Sequence, residues 1–475
     1  MTGNVSISRR KGSGPRRAAL SSALVLGLAI PQAGPARASG FLNPRLADPH
    51  GQPALANPYA VYFNPGALGG LRGTQLVVDG TLAFRTVDYD RAASALSPNP
   101  LGSSGSDPLY AQANTGPAHA ANVLALPFIA ASSDFGTRNF FAGVGVYVPF
   151  GGAVKFDQRP ELAGVAAAPG AVDGSQRWAV ISGTHQSIYS TLVLGYRIPE
   201  AGLSFGLGPS LVWTRIQHNQ ARNLSGYDDI NTEGRAYLDV DGFQFALSAG
   251  VYWEALPQNK LRLGASYQVR PGFGKMRLSG WLYQHYSSDI NNQADLLQTY
   301  PDVIRAGLAA RPRKDLEIRL DAEYVMWSLF GRQCVVAKGG QCNLGPHGED
   351  LTGGVILAVA REWNDAAAVR AGLGYFIDED SEIFGGIGYD TSAVPTRTLE
   401  STYPDSGKII ASLGGRRRFS PLLALGASFT LVEYLSTTTG HQDKAGLAGS
   451  SRMPNEDGEY DSRVLFFNLN ANFTF

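Results

Sequence analysis

The body of the sequence has few charged residues and no apolar stretch long enough for a membrane helix. Charged residues make up 17% of the 475 residues, against roughly 25% in an average soluble domain. The nearest candidates after residue 40 cover 123–131 and 355–360, far short of the roughly 18 residues that a transmembrane helix needs. The sequence therefore lacks the signature of a helical membrane protein, and its low charge is unusual for a soluble one.

The sequence also lacks spacings expected of several enzyme and cofactor sites. Its seven histidines show neither His-Glu-x-x-His spacing nor a Cys/His cluster for zinc, and there is no Gly-x-x-x-x-Gly-Lys phosphate loop. Basic and acidic residues are equal in number, 40 of each, with no basic stripe of the kind that binds nucleic acid. We therefore expect no enzyme activity, no cofactor, no metal and no nucleic-acid partner.

Cysteine is nearly absent. The two cysteines, Cys334 and Cys342, lie in a predicted loop. An oxidising compartment would permit a disulfide between them, and the sequence leaves open whether they are joined or free.

The first 38 residues have the three parts of a secretory signal. Five basic residues between Arg9 and Arg17 precede an apolar run over 18–30, and Ala36-Arg37-Ala38 supplies small residues for cleavage. This order predicts a signal peptide over residues 1–38. The alternative, a disordered basic tail, does not explain the cleavage site. Removing the signal leaves a net acidic chain.

Glycine and alternating polarity are what the remaining sequence has in abundance. It has 57 glycines, about 12% against about 7% in average proteins. In 316–326 apolar residues alternate with acidic and basic ones, and the same period of two recurs in 243–253, 261–270 and 367–377. This period predicts β-strands with two different faces, and each stretch has the roughly 9–11 residues of a tilted transmembrane strand.

Reading the whole chain this way predicts fourteen strands. They cover 74–88, 120–131, 140–149, 186–197, 203–218, 237–254, 261–270, 302–311, 315–328, 366–377, 382–390, 408–417, 423–434 and 464–475. Short connectors alternate with long ones near 90–118, 219–236, 271–300, 331–365 and 435–462. An even strand number with short turns at one end and long loops at the other is typical of outer-membrane barrels.

A soluble β-sandwich also alternates, so the last strand decides between the two. Residues 464–475 carry an apolar face and end at Phe475. Such a strand would be an adhesive edge in an open sheet, whereas a barrel pairs it with the first strand. The sequence therefore predicts an all-β protein, a 14-stranded antiparallel transmembrane β-barrel over residues 74–475.

Several short motifs occur in one order along the chain. They are Ser39-Gly40-Phe41, Asn57-Pro58-Tyr59-Ala60-Val61-Tyr62-Phe63-Asn64-Pro65, the segment 143–151, Tyr300-Pro301-Asp302 with Gly307, Tyr324, Trp327 and Ser328, and Gly388-Tyr389-Asp390 with Val394-Pro395 and Tyr403-Pro404-Asp405. In this order the chain resembles the FadL-type family of outer-membrane transporters for long-chain fatty acids and other hydrophobic compounds.

The resemblance implies that residues 39–73 form an N-terminal hatch, or plug, inside the barrel. This segment has five prolines and no clean alternation, which suits irregular structure better than a wall strand. The hatch motif corresponds to Asn64, Pro65 and Gly66, with Gly66 in place of the family's alanine. Without the resemblance, the same three residues predict only a turn.

The resemblance also implies a lateral window in the barrel wall at the third strand. Candidate window residues are Val148, Pro149, Phe150, Gly151 and Gly152. Proline cannot donate to a sheet ladder and glycine weakens a strand. The alternative is that Pro149 simply ends the strand at the outer rim.

A carrier of amphiphiles needs an apolar groove and a polar or cationic place for a head group. Candidate substrate-binding residues near the loops are Arg215, Arg270, Phe273, Met276, Leu278 and Trp281. The alternative for the apolar ones is the aromatic girdle of a barrel, and inward charges are common in barrels for structural reasons.

Together these features predict a multi-pass barrel in the cell outer membrane, in contact with its lipid and lipopolysaccharide, that transports hydrophobic small molecules. Long-chain fatty acids are the expected substrate, and the resemblance implies a monomer with passive lateral release. Three alternatives stay open: an aromatic-hydrocarbon channel, a non-specific porin, and a structural surface barrel.

Overall fold

The computed structural model describes residues 51–97, 107–223, 226–258, 260–286, 288–345, 350–440 and 453–475. The predicted signal peptide and residues 39–50 lie outside these ranges. No helix among the described residues is both long and apolar enough to cross a membrane. The short α-helices are α1 Ala60–Phe63 and α2 Pro108–Asn114.

The described chain is dominated by strands. In order they are β1 Thr74–Arg91, β2 Gly116–Ser133, β3 Phe140–Lys155, β4 Ser182–Ile198, β5 Leu203–Arg222, β6 Gly234–Leu256, β7 Leu261–Val269, β8 Lys275–His285, β9 Asp289–Thr299, β10 Val303–Arg313, β11 Leu316–Val325, β12 Arg332–Ala337, β13 Val355–Ala360, β14 Ala366–Phe376, β15 Ser381–Asp390, β16 Lys408–Arg418, β17 Leu423–Tyr434, β18 Thr437–Thr439 and β19 Gly458–Thr474.

Fourteen of these strands form a closed antiparallel barrel. Each wall strand pairs with its neighbours in the order β1 to β7, β10, β11, β14 to β17 and β19. The last strand pairs with the first along its length, from Gln75 opposite Thr474 to Arg91 opposite Gly458. All fourteen predicted strands are confirmed, with ends that differ by a few residues, and the closure removes the adhesive edge.

Alternation gives the wall an apolar outside and a polar inside. On β1, Leu82 and Phe84 are exposed on one face, whereas Asp79 and Arg85 are buried on the other. The terminal strand repeats the pattern, with Leu469 exposed and Asn470 buried. This is the arrangement expected for strands with lipid on one side and a lumen on the other.

The two ends of the barrel differ in their connections. At one end, the short-turn end, strands are joined by tight turns such as 199–202 and 377–380. At the other, the long-loop end, the predicted long connectors 271–300 and 331–365 contain further strands that were not predicted. An extension sheet continues from the part of β6 at the long-loop end. It consists of β8, β9, β12 and β13.

The extension sheet also contains the cysteine pair. Cys334 on β12 forms a disulfide with Cys342, which resolves the alternative left open by the sequence. Cys334 packs with Leu297, Val336 and Ala358 in a small buried cluster. The disulfide therefore closes the turn that follows β12 against the extension sheet.

Residues 51–71 contribute no wall strand and pack against the inward faces of the wall strands. Most of their side chains are buried, and Tyr59, Val61, Phe63 and Leu68 join a large core cluster with wall residues such as Phe128. We call residues 51–71 the inner segment.

Candidate functional site

Asn64 is the central anchor of the inner segment. Its side chain is fully buried. The amide Nδ2 donates to the carbonyl oxygens of Pro53 and Val251, both at 2.8 Å, and Oδ1 accepts from the backbone N–H of Gly66 at 3.0 Å. One side chain thus ties two parts of the inner segment to each other and to wall strand β6.

A band of wall glycines lets the inner segment approach the backbone of the wall closely. A Cβ added at Gly206, Gly250 or Gly264 would lie within 2.5 Å of Pro65 C, Asn64 Oδ1 or Pro53 O. Gly206 on β5 faces Gly250 on β6 directly in register. Real Cβ contacts are never this short, so larger side chains there would push the inner segment away from the wall.

Three further hydrogen bonds hold the inner segment to strands around the barrel. Tyr59 donates from its hydroxyl to Asp79 on β1 at 2.6 Å. Arg305 on β10 donates to the Tyr62 hydroxyl at 2.7 Å, and Ser266 on β7 donates to the Phe63 carbonyl at 2.6 Å. The inner segment is therefore fixed to several sides of the lumen at once.

The β2–β3 ladder is interrupted beside the candidate window residues. It stops at the pair Phe128 and Tyr147. Beyond that point Val148 and Pro149 form a bulge, because β3 resumes its pairing with β4 only at Phe150, opposite Ser187. The missing N–H of proline and the extra residue of a bulge both disfavour continuous pairing.

The interruption is bounded on both sides. Toward the long-loop end, the Lys155 N–H donates to Asn122 Oδ1 at 3.2 Å, and the Asp157 N–H donates to the His119 carbonyl at 2.8 Å. Between these contacts and Tyr147, no β2–β3 backbone pair is formed among the described residues. We call this unpaired stretch, 123–127 of β2 and 148–154 of β3, the wall gap.

Apolar side chains line the inner side of the wall gap. Leu124 and Leu126 from β2 pack with Val148 and Ala153 from β3. Residues of β1, β16, β17 and β19 complete this apolar cluster: Ala83, Ile410, Val432, Tyr434, Val464 and Phe466. Across the gap, packed side chains thus take the place of a backbone ladder.

Two neighbouring cavities lie inside the barrel. The lower cavity is bounded by Arg85, by 152–154 of β3, by 183–185 of β4 and by 402–404. The upper cavity lies against the extension sheet. Its lining includes Leu238, Leu282, Leu296, Val335, Leu357, Arg222 and Arg361. Ile216, His218, Thr402 and Tyr403 border both cavities. The cavities therefore share a wall that leads from the extension sheet toward the wall gap.

The opposite side of the lumen carries paired charges. Arg370 on β14 lies 3.2 Å from Asp390, 3.4 Å from Asp321 and 3.6 Å from Glu323. Arg319 on β11 pairs with Glu317 and Glu382. Arg262 on β7 and Arg305 on β10 pair with Glu317 and Glu323. We call these inward side chains of β7, β10, β11, β14 and β15 the charged wall. Its charges neutralise one another, as buried charges must.

The structure separates the predicted substrate-binding residues. Arg215 lies on the outward face of β5, with Phe205 and Leu207, and pairs with Asp239 at 2.8 Å, so it does not reach the lumen. Arg215 has an odd residue number, as Phe205 and Leu207 do, so the alternation in the sequence already placed all three on one face. Arg270 lies at the end of β7 and pairs with Asp302 at 3.0 Å.

The apolar candidates also divide. Met276 and Leu278 are fully buried in the core cluster, whereas Phe273 and Trp281 are 60% and 43% exposed. Leu282 and Leu296 of the upper cavity lie in the predicted loop 271–300, but the cavity as a whole was not predicted because its lining comes from β5, β6, β8, β9, β12 and β13 together. One signal was present: 355–360 is an uninterrupted apolar run, which also suits a buried strand.

One catalytic spacing occurs in the chain. Gly202-Leu203-Ser204-Phe205-Gly206 matches Gly-x-Ser-x-Gly, a motif that activates serine on a strand-to-helix turn. Here Ser204 lies inside strand β5 and is 1% exposed, so the required turn is missing. Within the described ranges, no group of three or more His, Cys, Asp or Glu could hold a metal ion.

Comparison with known proteins finds one architecture repeatedly. The crystal structure of a Pseudomonas aeruginosa FadL homologue superposes with a TM-score of 0.71 at 16% identity, covering 93% of this chain and 98% of that chain. The P. putida toluene transporter TodX gives a TM-score of 0.62 at 12% identity, covering 90% and 99%. The Ralstonia pickettii toluene transporter TbuX gives 0.58 at 13% identity, covering 90% and 99%. At these identities the likeness shows the fold alone.

The sequence itself gives the family. No curated protein sequence matches the chain. The family model described as outer membrane protein transport protein (OMPP1/FadL/TodX) matches residues 51–475. Because that match covers most of the sequence, the chain belongs to the OMPP1/FadL/TodX family of outer-membrane transporters of hydrophobic compounds.

Proposed function

We propose that this protein carries long-chain fatty acids across the outer membrane by passive lateral release through the barrel wall. The observation that carries the proposal is the wall gap, an interrupted ladder with an apolar inner lining that borders a lumen cavity. A continuous ladder would leave no lateral way out of a closed barrel. The residues Val148, Pro149, Phe150, Gly151 and Gly152 are the proposed window.

The first step of the proposed route is capture at the long-loop end. Moving a fatty acid chain out of water is favourable by roughly 0.8 kcal/mol for each methylene group. The apolar side chains of the upper cavity offer such a surface, and Arg222 and Arg361 lie at its border. The cavity would hold the chain while polar atoms at its edge contact the head group.

The second step is movement of the hatch. Residues 39–73 are the proposed hatch, and the Asn64, Pro65 and Gly66 motif is its proposed hinge against β5 and β6. Asn64 makes its contacts through hydrogen bonds to main-chain atoms, which can break without leaving an unpaired charge. A shift of the inner segment would enlarge the path between the lower cavity and the wall gap.

The third step is release into the bilayer between β2 and β3. The apolar cluster keeps the gap dry and gives the alkyl chain a continuous apolar surface. No energy source is needed if metabolism removes the product. The proposal includes action as a monomer, export by the predicted signal peptide, and contact with outer-membrane lipid and lipopolysaccharide.

Uptake of labelled oleate by cells that lack their own fatty acid carrier tests the proposal. Expression of this protein should give saturable uptake, whereas an empty vector should not. Uptake of labelled toluene without oleate uptake would reassign the substrate to aromatic hydrocarbons. Large, unselective ion conductance in planar bilayers would instead identify a porin, and absence of any transport by a folded barrel would favour a structural role.

A further inference from the structure

Arg85 is an unusual buried cation in this barrel. It points into the lumen from β1 and is 4% exposed. Its Nε donates to Ser462 Oγ at 3.1 Å, and one Nη donates to the Pro404 carbonyl at 3.1 Å. Both acceptors are neutral, and no ion pair joins Arg85 to a carboxylate in the described part of the chain.

Seven of the other buried arginines in the described part of the chain follow a different rule, and Arg222 donates to the Ile356 carbonyl at 2.8 Å. Each of the following has a carboxylate in ion-pair contact: Arg91, Arg177, Arg262, Arg305, Arg319, Arg361 and Arg370. A buried charge is costly unless it is paired. The missing partner at Arg85 therefore calls for an explanation that the fold does not supply.

Nearby charges do not remove the excess of positive charge. Asp405 acts on Arg85 electrostatically, but Asp405 Oδ1 already accepts from Lys408 Nζ at 2.8 Å and its Oδ2 from the Ala393 N–H at 2.8 Å. Lys408 Nζ and the Arg85 guanidinium both lie over the Tyr434 ring, at 5.1 and 5.6 Å from its centroid. Arg85 and Lys408 thus share Asp405, and Asp390, which also acts on Lys408, is in ion-pair contact with Arg370.

Arg85 lies at the border of the lower cavity, which is lined by no Asp or Glu. Along the wall, Arg85 faces Asn122 of β2 and Val464 of β19 in register, and Val464 belongs to the apolar cluster behind the wall gap. The cavity therefore offers one guanidinium, and Ala153 joins its lining to the apolar cluster behind the wall gap. This combination matches a molecule with one anionic end and a long apolar tail.

We propose that Arg85 binds the carboxylate of an alkyl carboxylic acid in the lower cavity, with the alkyl chain against the apolar cluster. The inference rests on the proposed transport function and narrows its substrate to carboxylates over neutral hydrocarbons. A carboxylate can accept two parallel hydrogen bonds from a guanidinium. A bound carboxylate would therefore give Arg85 the anionic partner that it lacks among the described residues. Aromatic hydrocarbons would gain nothing from Arg85.

Binding of two matched ligands to the purified full-length barrel tests the proposal. Oleate and oleyl alcohol have the same chain and differ in the charge of the head group. The wild type should bind oleate at least about tenfold more tightly than oleyl alcohol, as expected for a charge-assisted hydrogen bond. Arg85→Met should abolish that preference while leaving the affinity for oleyl alcohol nearly unchanged, and Arg85→Lys should keep most of it.

Arg463→Met is the matched control. Arg463 lies on β19 opposite Thr86, the neighbour of Arg85, and it pairs with Glu433 on the exposed outer face. Its replacement should leave the preference for oleate intact. Equal affinities of the wild type for oleate and oleyl alcohol, or an undiminished preference in a folded Arg85→Met variant, would overturn the inference and leave transport standing. Binding of neither ligand, together with no uptake, would overturn the proposed function as well.

Discussion

The two sides of the lumen solve the problem of buried polar groups in opposite ways. On the charged wall, Arg370 contacts three carboxylates and Arg319 contacts two. Around the wall gap, apolar side chains such as Leu124 and Phe466 replace charges, and Arg85 keeps only neutral protein acceptors. The charged wall pairs its buried charges within the protein. The gap side presents an apolar surface and a cation that has no carboxylate partner among the described residues.

This difference separates structural polarity from functional polarity. Inward charges in a barrel are common, so their presence alone does not mark a site. What distinguishes the gap side is an interrupted ladder, an apolar lining and an unpaired cation in one place. Pairing, rather than charge, is therefore the criterion that separates scaffold from candidate site here.

The largest effect is expected from breaking the charged wall. Arg370→Met would leave Asp321, Glu323 and Asp390 buried without their shared cation. Removing one partner of a buried ion pair costs about 3–5 kcal/mol, so the free energy of unfolding in detergent should fall by that order. Chemical denaturation of the purified barrel measures it.

Arg463→Met serves as the control for that experiment. Its pair with Glu433 is exposed to solvent, where an ion pair contributes about 1 kcal/mol or less. Equal losses of stability in the two variants would show that the charged wall is not the scaffold that its pairing indicates.

A smaller effect is expected from releasing the inner segment between the two sides. Asn64→Ala removes three hydrogen bonds at a fully buried position, which should weaken docking of the inner segment by about 2–4 kcal/mol. The barrel should stay folded, while ion conductance in planar bilayers rises and residues 51–71 become sensitive to protease. Unchanged conductance and protection would contradict the role of Asn64 as an anchor.

A further effect is expected from restoring a regular strand residue at the wall gap. Pro149→Thr restores an N–H and a β-favouring side chain at the bulge. Oleate uptake should fall severalfold while the stability of the barrel is kept or slightly increased. Thr86→Ser on the outer face of β1 is a conservative control that should leave uptake unchanged. Pro149 does not end the strand, as the sequence alternative had it, because β3 continues to Lys155. Full uptake by Pro149→Thr would show that passage does not need the bulge.

The smallest expected effect is a dependence of stability on pH at the long-loop end. Burial, with a contribution from the nearby Glu400, raises the pKa of Glu456 to about 7, although the Ser401 N–H donates to its carboxylate. Because the folded pKa lies above the ordinary value of 4.5, the folded state binds the proton more tightly, and stability falls as the pH rises between those values.

Glu456→Gln should remove that part of the pH dependence. The unfolding midpoint of the wild type should decrease between pH 5 and pH 8 more than that of the variant. Identical slopes would show that Glu456 is not the group responsible.

The wall could be predicted from the sequence because period two is a local property. Each of the fourteen strands shows its two faces within about ten residues, as β11 does with Leu320 outward and Asp321 inward. The same local rule would have placed Arg215 outside, since it shares the parity of Phe205 and Leu207.

The candidate site depends on contacts that the sequence does not show. Arg85 meets its two acceptors at Pro404 and Ser462, more than 300 residues along the chain, and its missing partner is visible only once the barrel is closed. The upper cavity likewise needs six strands from separate segments: β5, β6, β8, β9, β12 and β13. The position of the bulge was indicated by Pro149, whereas the extent of the gap depends on the register of β2 and β3.

The most direct test of lateral release is to lock the wall gap reversibly. Leu124→Cys on β2 and Ala153→Cys on β3 place two thiols on either side of the gap, within the same apolar cluster, and a cleavable bismaleimide can join them in cells. Single-cysteine variants treated in the same way are the controls. Oleate uptake should stop when the strands are joined and return when the linker is cleaved. Undiminished uptake through a fully cross-linked barrel would contradict passage through the wall gap.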